Sequence, residues 1–223
     1  MDTEPAFASR LTTRKILLTA SGFLCVLLAP HVGVPMVLYP VLGLALVAAL
    51  LRYQGLGFSD IDFRWRAMKV WPLLIGGLLG ILYATINYLA IGPLIAYILN
   101  EGPDLTAFNF VRTSLSGFVI ALVLALVIGG VYEELLFRGF LRDFLVRHLP
   151  AWRMRPLVVA VLVALIFAAY HWQLGSFGVA NAFVFAAFAA VMRQAWPTNL
   201  WYVISFHALA DMSAFTLMRM GLL

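Results

Sequence analysis

The stretch Gly129-Gly130-Val131-Tyr132-Glu133-Glu134-Leu135-Leu136-Phe137-Arg138 decides how this chain is read. It lies inside an apolar run at about 116–141, long enough to cross a bilayer at the usual 17–25 residues per helical span. Charged side chains in the middle of such a run need a reason. Insertion scales charge about 2.5–3.5 kcal/mol for one Asp, Arg or Lys at a helix centre.

Two further runs break the apolar pattern in the same way. Phe167-Ala168-Ala169-Tyr170-His171 falls in a run at 156–176, and His207-Ala208-Leu209-Ala210-Asp211 in a run at 199–220. Four formally charged side chains facing lipid unpaired would cost roughly 10 kcal/mol. They are therefore expected to face each other, water or a bound ion.

The rest of the chain sets the context. Of 223 residues, 64% are hydrophobic and 11% charged. Soluble domains carry about 25% charged residues, so a soluble globule is excluded. A disordered chain is excluded on the same ground. The one cysteine, Cys25, excludes a disulfide scaffold and a cysteine-based metal cluster. The expected fold is all-α, a polytopic transmembrane helical bundle of about seven to eight spans. Candidate spans are 15–33, 34–51, 70–91, 116–141, 156–176, 177–194 and 199–220. The partly apolar stretch 92–115 reads as a surface helix or re-entrant piece and is the source of the eighth. Residues 1–14 read as an N-terminal cytoplasmic tail and 15–223 as a single transmembrane domain, with the polar motifs in 116–220.

Basic residues set the orientation. With the N-terminus inside and the seven spans alternating, thirteen of the fifteen Lys and Arg fall on inside segments. Arg112 and Arg219 fall outside. That bias predicts a cytoplasmic N-terminus. Arg10, Arg14 and Lys15 before an apolar run resemble a signal peptide, but no A-x-A site follows, so an uncleaved anchor is expected. The short loops fit a bacterial inner-membrane protein. The net charge of +5 reads as topology signal and not as a nucleic-acid surface. Trp152, Trp172, Trp196 and Trp201 lie near span ends and read as interface anchors.

Helical spacing arranges the polar groups. Glu134 and Arg138 are i,i+4 and can pair along one face. Glu133 points about 100° away, towards a cavity. His207 and Asp211 are also i,i+4, and Phe167 lies one turn before His171. Gly129 and Gly130, one turn before the glutamates, let a neighbouring helix come close. At 1.5 Å per residue, Glu133, His171 and Asp211 each lie about 20–23 Å from the cytoplasmic end of their helices.

This set can do more than one kind of chemistry. Glu133 can act as a base towards water held by His171. His207 can donate to an oxyanion formed on an attacked carbonyl. The same Glu133, His171, His207 and Asp211 could instead bind a divalent metal such as zinc, though no H-E-x-x-H motif forces that choice. Buried carboxylates and imidazoles also form proton relays, so a proton- or ion-coupled transporter is an alternative. A non-catalytic membrane scaffold or immunity factor is a third reading.

The three motifs resemble those of the CPBP family of intramembrane proteases, which includes the type II CAAX prenyl endopeptidases. That family carries E-E-x-x-x-R, then F-x-x-x-H, then H-x-x-x-N or a relative of it. Glu133, Glu134, Arg138, Phe167, His171 and His207 match, and Asp211 stands where Asn is more usual. The resemblance implies hydrolysis of a peptide bond in a membrane-associated protein or peptide. It implies Glu133 as the water-activating base, His171 as its partner, and His207 with Asp211 on the oxyanion side. Glu134, Arg138 and Phe167 would then support them. An ionised Asp cannot donate to an oxyanion as Asn can. Asp211 is therefore expected to orient His207, the other options being a protonated carboxyl or a metal ligand.

Overall fold

The computed structural model describes residues 13–35 and 38–223. The tail expected at the N-terminus, with Arg10, lies almost wholly outside the described residues. All regular structure among the described residues is helical, as the apolar runs require. The chain divides into two compact units, Met1–Phe58 and Ser59–Leu223.

In the first unit, α1 (Thr13–Leu28) packs on α2 (Leu38–Tyr53). Gly22 lets Leu50 approach so closely that an added Cβ would lie 3.0 Å from its Cδ2. Gln54 donates to Thr19 Oγ1 at 3.3 Å, so the pair is tied at both apolar and polar points.

The second unit holds five long helices: α3 (Val70–Leu99), α4 (Leu115–His148), α5 (Arg155–Tyr170), α6 (Gly175–Ala195) and α7 (Trp201–Arg219). Residues 92–99, read as the start of a surface or re-entrant piece, instead continue α3 without a break. Pro93 stands at the start of this continuation, just after a π-helical turn at Asn87–Ile91 that spaces the backbone around it. Four described helices are long and apolar enough to cross a membrane: Thr13–His31, Val70–Leu99, Leu115–His148 and Trp172–Ala195. Counting residues 38–53 with 58–67 as one broken span gives five. Arg155–Tyr170 is apolar but shorter. The chain is thus an integral membrane protein of helical type.

α7 carries His207 and Asp211 and packs most extensively on α3 and then on the central part of α4. Glycine makes the first contact possible. A Cβ on Gly80 would collide with the carbonyl oxygen of Phe206, and one on Gly76 with that of Tyr202. Backbones this close are how membrane helices gain packing without a hydrophobic drive. Gly80→Ala is therefore expected to lower stability by about 1–3 kcal/mol, read from thermal unfolding in detergent. Gly102→Ala is the control, since its Cβ would meet nothing within 4 Å.

A short connection, residues 58–68, straps one end of this unit. Ile61 and Phe63 are buried, and Phe63, Trp65 and Trp201 form one aromatic cluster with centroids 5.2–5.4 Å apart. Trp201 also donates to the carbonyl of Arg64 at 2.9 Å. Trp201 was expected at an interface; at 5% exposure it is a core residue. At the other end, the two arginines assigned outside meet: Arg219 Nη1 donates to the carbonyl of Arg112 at 2.5 Å.

Candidate active site

The glutamate motif does not sit in an ordinary α-helix. Within α4, residues Ala125–Glu133 and Leu135–Leu141 are π-helical. Single π turns inside helices recur at functional sites because they re-aim neighbouring side chains. The apolar pattern carries no mark of these wider turns. The i,i+4 pair forms within them all the same: Arg138 Nη1 donates to Glu134 Oε1 at 3.0 Å, with both side chains almost fully buried.

The same carboxylate oxygen, Glu134 Oε1, lies 2.7 Å from His207 Nδ1. A carboxylate only accepts, so Nδ1 carries the proton and Nε2 is turned the other way. Nε2 lies 3.8 Å from Glu133 Oε2 and 3.5 Å from Asp211 Oδ2. Glu134, expected to pair with Arg138 and to support the site, makes the shorter contact that sets the His207 ring. Asp211 instead stands beside the outward nitrogen, with its carboxylate about two-fifths exposed.

His171 was expected inside a helix at 156–176. It caps the end of α5, and the chain then turns through Trp172–Leu174 into α6. Gly175 allows that turn, with φ +71°. His171 Nδ1 donates to the carbonyl of Phe167 at 2.8 Å, which leaves Nε2 pointing to Glu133 Oε2 at 3.9 Å. The spacing F-x-x-x-H thus works through the Phe167 backbone as well as its ring, whose centroid lies 4.5 Å from the imidazole.

One oxygen, Glu133 Oε2, therefore faces two imidazole nitrogens from α5 and α7. Both separations exceed a direct hydrogen bond and suit a polar group shared between the partners. Gly129 makes room for this. A Cβ there would lie 2.5 Å from Asp211 Oδ2 and 3.2 Å from His207 Nε2. Gly129→Ala is expected to displace those groups and slow turnover about tenfold to a hundredfold, since small misplacements at a reacting centre are costly.

The aromatic surround was only partly legible. The Arg138 guanidinium lies over the Phe167 ring at 4.3 Å and within 5.8 Å of Phe185. Phe185 also sits 4.4 Å from the His207 ring. Phe185 carries no charge and falls in a run of Phe and Ala, so nothing in the sequence singled it out. Arg193 was counted among flanking basic residues. It is 2% exposed, donates from Nε to the carbonyl of Arg138 at 3.3 Å and pairs with Asp62 at 2.5 Å. Asp62 takes a left-handed backbone, φ 65°, to present that carboxylate.

Among the described residues no group of three or more His, Cys, Asp or Glu is arranged to hold a metal ion.

Residues 115–213 match the family described as Type II CAAX prenyl endopeptidase Rce1-like. The match spans a little under half of the chain and contains all seven motif residues from Glu133 to Asp211, so the stretch is similar to that family. That description is of an endopeptidase, a protease. No curated protein and no solved structure matches the chain.

Proposed function

We propose that the chain is an intramembrane endopeptidase in which Glu133 activates water. The observation that carries this reading is the convergence of His171 Nε2 and His207 Nε2 on Glu133 Oε2 at 3.9 and 3.8 Å. A water held between Glu133 and His171 loses a proton to the carboxylate as its oxygen bonds to the peptide carbonyl carbon. The carbonyl π pair moves onto oxygen, and His207, carrying a proton on Nε2, donates to that oxyanion. Collapse of the tetrahedral intermediate breaks the C–N bond, and the proton on Glu133 passes to the leaving amine. Glu134 fixes His207 through Nδ1, and Arg138 fixes Glu134. Asp211 supports the protonated imidazole from the Nε2 side.

In this reading all seven apolar segments of 15–223 cross a bacterial inner membrane as one domain, with the N-terminus cytoplasmic. The basic residues support that orientation. The family description makes a prenylated peptide the first probe. Protein reconstituted in liposomes is expected to cleave a farnesylated peptide ending in a CAAX sequence, or an apolar membrane-anchored peptide, yielding a new amine. Substrate-stimulated proton flux without any cleavage would overturn the proposal in favour of a transporter. A zinc chelator is expected to leave the cleavage rate unchanged. Loss of activity restored by added zinc would contradict the metal-free mechanism.

A further inference from the structure

A second polar cluster adjoins the carboxylate–imidazole site and shares Arg138 with it. Arg138 and Arg142 in α4, Arg155 at the start of α5 and Arg193 near the end of α6 line one cavity of about 160 Å³. Val146 and Val159 are among its apolar walls. The volume is that of roughly five water molecules, which admits a phosphate group.

The charges on these walls are not balanced from within. Arg193 is paired with Asp62, and Arg138 with Glu134. Arg155 donates one nitrogen to the carbonyl of Val146 at 3.2 Å and meets no carboxylate among the described residues. The Arg142 side chain makes no hydrogen bond or ion pair among the described residues, and the carboxylates of Asp62 and Asp143 act on it only from a distance. Its neighbour Asp143 is taken by Arg147 at 2.6 Å. Arg138, 1% exposed, keeps Nε and Nη2 without acceptors. Buried donors without acceptors are costly, and an anion with several acceptor oxygens removes that cost.

We propose that this cavity binds a phosphate group, presented by the headgroup of an anionic phospholipid. Three observations favour a lipid as the source. The four arginines gather at one end of three helices, two of which belong to segments apolar enough to cross a membrane. The apolar side of the cavity suits the glycerol and the first carbons of an acyl chain. Guanidinium groups at a membrane surface are attracted to anionic leaflets.

The test is retention of lipid by the full chain. Protein is exchanged into nanodiscs of phosphatidylglycerol with phosphatidylcholine, extracted, and weighed by native mass spectrometry. Wild type is expected to retain phosphatidylglycerol, and the Arg142→Gln/Arg155→Gln variant to retain it about tenfold less or weaker still. Arg147→Gln, outside the cavity, is expected to behave as wild type. Arg142 has no bond to lose, so Arg142→Gln alone keeps the test decisive if the double variant fails to fold. Equal retention of lipid by all these proteins, or no preference for phosphatidylglycerol over phosphatidylcholine, would overturn the proposal. Failure of wild type to retain any lipid, with inorganic phosphate bound in its place, would overturn the lipid source.

Discussion

Glu133→Gln is expected to lower peptide cleavage about 10²–10⁴-fold, the range over which a positioned general base acts. The substitution keeps the shape of the side chain and one acceptor oxygen, but cannot take a proton at neutral pH. Among the described residues the Glu133 carboxylate makes no direct hydrogen bond, its approaches to the imidazoles being 3.8 and 3.9 Å, so little bonding is lost. Unfolding in detergent should therefore be close to wild type. Rates are read from a membrane-anchored peptide at saturating and limiting concentrations. A fall in kcat with KM retained marks loss of an interaction made in the transition state. Cleavage at the wild-type rate would remove Glu133 from the mechanism.

The second large effect is on stability. Arg138→Leu is expected to destabilise the fold by about 3–5 kcal/mol, because it leaves Glu134 as a buried charge short of its cation. Glu134 is fully buried and would keep only the 2.7 Å contact to His207 Nδ1. Arg138→Lys should not restore wild-type stability, since a point charge cannot lie flat over the Phe167 ring as a guanidinium does. Glu134→Gln combined with Arg138→Leu should recover part of the loss by removing the stranded charge. The check is the midpoint of unfolding for the single and double variants in one detergent. Equal midpoints for all of them would show that the pair adds nothing to the fold.

Composition and motif order made much of this legible. Apolar runs forecast helices throughout, and six polar residues in three runs marked the place where helices converge. Gly129 was legible because a small residue beside buried charge signals close approach, and a Cβ there would indeed strike Asp211. Other features had no local signature. The π-helical backbone of Ala125–Glu133 and Leu135–Leu141 leaves no mark in the residue spacing. His171 lies in an apolar run that hides the end of α5, because nothing but Gly175 four residues later marks the turn. The buried state of Arg193 depends on Asp62, 131 residues away, and a basic residue at a span end ordinarily reads as exposed. Glu134 as the residue that orients His207 depends on which neighbour reaches Nδ1, which only three-dimensional placement decides.

The chain has only four glutamates and four histidines, which makes one distance directly measurable. Protein with carbon-13 at the glutamate carboxyls and nitrogen-15 in the histidines is reconstituted in lipid for solid-state NMR dipolar recoupling. His171 Nε2 is expected to be strongly dephased by a carboxyl carbon, matching its 3.9 Å approach to Glu133 Oε2, and the effect should vanish in Glu133→Asp protein grown with the same labels. His31 and His148 serve as internal references. Absence of dephasing at His171 Nε2 in wild type would place the carboxylate away from the imidazole and contradict the water-activating site.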